Sequence, residues 1–479
     1  MSAASNVPPL PAVVVVGGGL AGLAAAAALG QAGFKVTLLE SRKFLGGRAT
    51  SYVDAESGAL IDNCQHVSMG CCTNLKHLCS MLQIEDAFRT EDVLYFISPA
   101  GTCTRFQADP FPAPLHLSRA FWKLPYLSLM DKFHFARAVR ALAATSRANL
   151  RGRNFHAWLK EQRQSDQVIR NVWEVVLISA LSESLERIDA AYAQKVFVDG
   201  FLTNRNGWKI EIPLVSLDEL YSQRAIHALQ QLGVEVQQQS RVTTLVSSGQ
   251  QMDSVILQNG REIRAEEFVL AVPQHQLGAL ISTHPILQPL AEQIDHLETA
   301  PITSVHLWFD RPVINLPHAV LVDRLGQWLF SRGKSETPHG PGYLYQVVIS
   351  ASHQLAERTQ TEVIEKVVGE LATIWPDVSS AKLLHQRMIT ERRAVFSATP
   401  GIDRYRPAQQ SALPNLQLAG DWTKTGWPAT MEGAVRSGYL AAANILKRYG
   451  MNADLLQPGL RSSWLAKWLW GEHACNDET

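Results

Sequence analysis

The sequence predicts an α/β protein built on a Rossmann-like parallel sheet, and three observations near its start carry that prediction. The run Ala12-Val13-Val14-Val15-Val16 is β-branched and apolar, which suits a central strand buried on both faces. Gly17, Gly19 and Gly22 follow at once in G-x-G-x-x-G spacing. The first allows a tight turn, the second lets backbone approach a pyrophosphate, and the third lets helix and strand pack closely. Glu40 closes a second strand, Lys35 to Leu39, at the distance where a ribose hydroxyl pair needs an acceptor. Between the two strands an alanine-rich helix, Leu23 to Gln31, ends at Gly33 and turns its positive end toward the phosphates. Leu20 and Ala21 complete this dinucleotide-binding set.

The stretch after Glu40 selects the dinucleotide. Ser41-Arg42-Lys43-Phe44-Leu45-Gly46-Gly47-Arg48 resembles the R-x-G-G-R element of the flavin amine oxidase and carotenoid desaturase superfamily. Phe44 stands where that pattern has its first arginine, and Arg42 lies two residues earlier. The resemblance implies FAD in a GR2-type domain. Gly46 and Gly47 would bring backbone close to it and Arg48 would neutralise its phosphates, with Ser41 and Arg42 beside the ribose acid.

A second element comes late, as Gly420-Asp421-Trp422 and then Gly426-Trp427-Pro428-Ala429-Thr430-Met431-Glu432-Gly433-Ala434. A strand delivers Asp421 at its C-terminal edge, where ligands bind in open α/β sheets. Its carboxylate can accept from ribityl hydroxyls. A helix starting near Ala429 to Glu432, with Thr430, Met431 and Ala434, aims its amides at the flavin pyrimidine. This too resembles the superfamily, in which backbone at the position of Val242 faces the adenine end. The FAD-binding domain is then discontinuous, formed by residues 1–62, 233–290 and 396–450. An α+β substrate domain takes 63–110 and 291–395, a helical subdomain 111–232, and a tail 451–479.

Composition narrows the field. At 479 residues, with 44 basic and 44 acidic side chains, the chain has room for two or three domains and no charge excess that argues for nucleic acid. Its six cysteines show no zinc-type spacing; Cys71 and Cys72 read as apolar packing on a core helix, and no metal is expected. Residues 1–11 read as a loose lead-in. There is no secretory signal and no membrane-crossing run, so the expected place is the cytoplasm. Two stretches qualify that expectation. Residues 110 to 145 mix prolines and large apolar groups with Arg119, Lys123 and Lys132, and Trp464 to Trp470 lies beside Arg461 and Lys467. Each suits peripheral contact with the inner face of a membrane, or the mouth of a greasy cavity, or ordinary packing within the protein.

Directly behind the flavin elements stands Asp62-Asn63-Cys64-Gln65-His66. A histidine here serves either as a hydrogen-bonded structural residue or as a catalyst. The stretch resembles the hydroxysqualene dehydroxylase family. The resemblance implies reduction of a long isoprenoid, hydroxysqualene, by FADH2 to squalene and water, with an external electron donor, since no second nucleotide turn is present. Asp62 and His66 are the candidates for proton delivery. A carotenoid-type desaturase and a flavin-free prenyl-binding carrier of the same fold are the alternatives; amine oxidation fits less well.

Overall fold

The computed structural model describes residues 10–282, 284–337 and 340–471. The first nine residues of the lead-in, and Cys475 with the end of the tail, lie outside the described residues. Five parallel strands form the nucleotide sheet in the order 235–237, 35–39, 12–16, 267–270, 416–418. Val13 to Val16 lie at its centre, all buried, because a strand covered by helices on one face and packing on the other has no polar side. The covering helix is Leu20–Gln31 rather than one starting at Leu23: Gly22 sits inside its first turn. The long helix Met431–Arg448 packs against it.

A second, seven-stranded sheet runs in the order 383–396, 299–309, 342–350, 328–335, 318–321, 93–97, 103–107. Its pairs are antiparallel except for His318–Leu321 beside Val93–Ile97. Asn259 and Gly260 (φ +83°) turn a small antiparallel sheet between Gln251–Leu257 and Glu262–Arg264, and Ser51–Val53 pairs with Leu60–Asp62 in a hairpin. Residues 118 to 202 are mainly helical, and two of these helices pass into π-helical turns, at Ile169–Glu174 and Val198–Leu202. Cys71 and Cys72 precede the helix Thr73–Met81 instead of lying on it. Burial pushes the Cys64 and Cys79 thiols up to about 12, and Cys72, hydrogen-bonded to the free Cys71 thiol and buried, is pushed up as well, so all three stay protonated.

Candidate active site

Two glycine loops meet at the end of the first strand. The helix Leu20–Gln31 begins with no side-chain cap and no acid in its first turn. Its leading amides, at Leu20, Ala21 and Gly22, therefore have no intrahelical acceptor although the residues are buried, an arrangement that suits an anion. A Cβ on Gly22 would stand 1.8 Å from the Gly17 carbonyl oxygen, so no larger residue makes this turn. The Gly46 amide donates to the Gly18 carbonyl at 2.8 Å, and Gly47 lies against Gly19 backbone to backbone. Glu40 braces both loops: its carboxylate accepts from the Gly18 amide (2.8 Å), the Arg42 amide (2.8 Å) and the Ser41 hydroxyl (3.0 Å). The Arg42 guanidinium folds back onto the Gly47 carbonyl at 3.3 Å. Val242 opens its strand two residues after Ser240, whose amide donates to the Glu40 carbonyl at 2.7 Å.

The far end of the chain arrives at the same place. Asp421, buried just past the strand Leu416–Leu418, accepts from Arg48 at 2.7 Å across 373 residues of sequence. Arg48 also donates to the Ala394 carbonyl. Burial alone would lower the Arg48 pKa, but the charge and hydrogen bond of Asp421, with Glu391 behind them, hold it above its ordinary value. The helix Met431–Arg448 starts from Thr430, whose hydroxyl accepts from the Gly433 amide at 3.1 Å. That leaves the Met431 and Glu432 amides pointing out of the first turn beside buried Ala429. The Ala434 amide is already bonded to the Thr430 carbonyl at 3.0 Å and offers no donor. Glu432 turns its carboxylate away, onto the Leu75 amide (2.7 Å) and the Asn74 side chain (2.8 Å) at the start of the helix Thr73–Met81. Burial raises its pKa against the pull of those donors.

Both candidates for proton delivery are held by neighbouring groups. The Asp62 carboxylate accepts from Ser51 (2.7 Å) and from the Leu217 amide (3.1 Å), and pairs with Arg332 at 3.0 Å. These three contacts tie the carboxylate to the strand Ser51–Val53, the loop before Leu217 and the strand Trp328–Ser335. His66 shares its Nδ1 with the Cys64 carbonyl at 2.9 Å. Burial lowers its pKa, Arg48 pushing the same way, so the ring is neutral at pH 7. Neither side chain lines the chamber that opens beside them.

That chamber has a volume of about 580 Å³, within the range of ligand pockets. Its wall is mostly apolar, with Leu94, Phe96, Phe106, Trp208, Trp328 and Phe330 among its members. It also includes Trp427, Pro428, Thr430 and Met431, the segment that starts the C-terminal helix. The sequence did not single out Lys195 or Asp199, and it gave Gln65 no role. Gln65 lines it with its Oε1 accepting from Arg332 at 3.2 Å and its Nε2 buried without a partner among the described residues. Lys195 and Asp199 line it as an ion pair of 2.8 Å, with the Lys195 Nζ 4.5 Å from the Trp427 ring centroid. The signal for that pair was the presence of two charges four residues apart on a helix of otherwise apolar character.

The comparisons agree with this geometry. The family model described as flavin containing amine oxidoreductase matches residues 20–446. A 15-cis-phytoene desaturase of Arabidopsis thaliana is 28% identical, covering 95% of this chain and 84% of that protein. A hydroxysqualene dehydroxylase of Zymomonas mobilis is 27% identical over 89% of this chain and 97% of its own. Cyclohexylamine oxidase from Brevibacterium oxydans superimposes with a TM-score of 0.67 at 18% identity, over 92% of this chain and 100% of that one, which shows a shared fold. With two glycine loops, a Gly-Asp strand end and a matching family pattern over most of its length, the chain belongs to the flavin-containing amine oxidoreductase family, and its cofactor is FAD.

Proposed function

We propose that this FAD-dependent oxidoreductase reduces hydroxysqualene, a long isoprenoid alcohol, to squalene and water. The observation that carries the reading is the shared wall: Trp427 to Met431 start the C-terminal flavin element and also line the apolar chamber, so cofactor and hydrocarbon meet in one space. In this reading the amides of Leu20, Ala21 and Gly22 take the pyrophosphate, and Glu40 takes the adenosine ribose beside Ser41, Arg42 and Val242. Gly46, Gly47 and Arg48 pass along the phosphates and ribityl chain. Asp421 accepts from the ribityl hydroxyls while Arg48 holds its charge, and Met431 and Glu432 present backbone amides to the pyrimidine. FAD, when bound and reduced by an external donor, supplies a hydride. The chain supplies dryness, since the chamber excludes water from a developing allylic cation, and alignment of a flexible polyene along its aromatic wall.

Leu115, Trp122 and Leu469 line the chamber and are also exposed, which supports a mouth on this side. Leu129, Phe133, Trp464 and Trp468 are exposed around this region, and the helices Leu129–Ala144 and Trp464–Trp470 contact each other. With Arg119, Lys123 and Lys467 nearby, this rim fits the headgroup layer of a bilayer, from which a water-insoluble substrate would pass directly into the chamber. Among the described residues no helix is long and apolar enough to cross a membrane, so the proposed attachment is peripheral, on the cytoplasmic face.

Desaturation of a polyene is the second reading, favoured by the phytoene desaturase relatives. Anaerobic mixing separates the two. Photoreduced protein should be reoxidised by hydroxysqualene with one squalene formed per flavin, and oxidised protein should be left oxidised by phytoene. Flavin reduction by phytoene, with hydroxysqualene inert, would replace the first reading by the second.

A further inference from the structure

The chamber wall is mostly apolar, yet three of its polar atoms are buried without a hydrogen-bond partner among the described residues: Gln65 Nε2, Tyr126 Oη and Trp427 Nε1. A buried polar group left unpaired is costly, so each calls for a partner. Gln65 is the one whose direction is fixed. The residue is 8% exposed, and its Oε1 accepts from Arg332 Nη1 at 3.2 Å. A guanidinium only donates, so the carboxamide cannot turn over and both of its N–H bonds lie on the other edge. Arg332 is itself held, by Asp62 at 3.0 Å and by the Pro213 carbonyl at 3.1 Å. Gln65 lines the chamber and Arg332 does not, which sets the Nε2 edge on the chamber side. The same loop is tied to the cofactor side. The Asn63 side chain donates to the Arg48 carbonyl at 3.2 Å, and the Asn63 amide to the Thr50 carbonyl at 2.9 Å.

We propose that Gln65 recognises the alcohol of the substrate: its carboxamide N–H donates to the hydroxyl oxygen and selects an oxygenated isoprenoid over the corresponding hydrocarbon. This rests on the dehydroxylation reading and adds to it the residue that reads the oxygen. A long polyene presents much the same groups along its whole length, so non-directional apolar contacts leave it free to slide along the wall. One directional hydrogen bond fixes its register and sets the carbon that bears the hydroxyl against the cofactor side of the chamber. An amide has no acidic proton, so Gln65 holds the oxygen and transfers nothing. Arg332 and Asp62 act through it as positioning residues, keeping the N–H edge turned to the chamber. The product has no acceptor for Gln65, so it is held less tightly than the substrate and its release is favoured.

The test uses the FAD-loaded full chain in its oxidised state and compares equilibrium binding of hydroxysqualene and squalene. Wild type should prefer the alcohol about fivefold or more, as one neutral hydrogen bond allows. Gln65→Leu, which keeps the bulk and removes the donor, should bind the two alike, with squalene affinity and the flavin spectrum unchanged. Gln65→Met, unbranched like glutamine, carries the same expectation and replaces it should leucine prevent folding. A wild type that binds both ligands alike, or a variant that keeps the wild-type preference, overturns the proposal. Equal weakening of both ligands in the variant overturns it too, since that is the mark of packing alone. So does weaker FAD binding with the preference retained, which would assign the amide to the cofactor. Loss of the preference in Trp427→Phe or Tyr126→Phe but not in Gln65→Leu places the oxygen elsewhere and likewise overturns it. The dehydroxylation reading is scored separately, by whether photoreduced wild type converts hydroxysqualene to squalene. A wild type that leaves hydroxysqualene unreduced removes that reading and the proposal with it.

Discussion

Gly438 is where the two ends of the chain depend most closely on a missing side chain. It lies on the helix Met431–Arg448 where that helix crosses Leu20–Gln31, and a Cβ there would stand 2.2 Å from the Ala21 carbonyl oxygen and 2.8 Å from the Ala24 Cβ. Restoring an ordinary carbon–oxygen separation of about 3.3 Å requires the helices to part by about 1 Å. Overpacking of this kind costs about 1–3 kcal/mol, against about 1 kcal/mol gained from replacing glycine within a helix. The net loss for Gly438→Ala is up to about 2 kcal/mol. Because both helices aim their first turns at the cofactor, much of that loss should appear as weaker FAD binding, roughly tenfold for each 1.4 kcal/mol. Fluorescence titration of the apoprotein with FAD reads it directly. Gly369→Ala is the control: Gly369 is helical with no atom within 4 Å of its would-be Cβ, so the change should leave FAD affinity alone and raise Tm slightly. Wild-type FAD affinity in Gly438→Ala would refute the argument that these helices grip the cofactor as a unit.

Three further outcomes are expected. Arg48→Met leaves buried Asp421 without its cation and should cost about 2 kcal/mol in urea unfolding of the apoprotein at pH 7, with weaker FAD binding; Asp421→Asn in the same background should recover most of the stability. His306, buried on the strand Thr299–Phe309, is driven down to about 4 by burial, with the Arg332 charge acting in the same sense. Its folded pKa lies below the unfolded 6.5, so its contribution is complete above pH 6.5 and lost as pH falls toward 4, about 3 kcal/mol in all. His306→Gln should therefore flatten the stability–pH profile between 6.5 and 4 relative to wild type, and parallel profiles would refute this. Finally, the pair Trp464→Ser and Trp468→Ser should reduce flotation with vesicles containing anionic lipid while leaving the flavin spectrum unchanged.

The sequence was most legible where function is written in consecutive residues. The valine run, the glycine triad, Glu40 and the Gly-Asp strand end each carry their geometry in local spacing. Pairings across long separations were not legible. Asp62 looked like an acid because nothing nearby in sequence neutralises it; its partner Arg332 lies 270 residues away. Glu432 sits in a flavin motif, yet its carboxylate is taken by Asn74 and Leu75, 358 and 357 residues earlier. The chamber is assembled from segments spread from Gln65 to Trp470, so no window of sequence displays it.

The most direct measurement follows the origin of the new hydrogen. Protein photoreduced anaerobically in D2O is mixed with hydroxysqualene, and the squalene formed is analysed by mass spectrometry and NMR. The account predicts one deuterium, on the carbon that carried the hydroxyl group, in an amount equal to the flavin reoxidised. Squalene without deuterium at that carbon, or flavin reoxidation with the alcohol recovered intact, would contradict it.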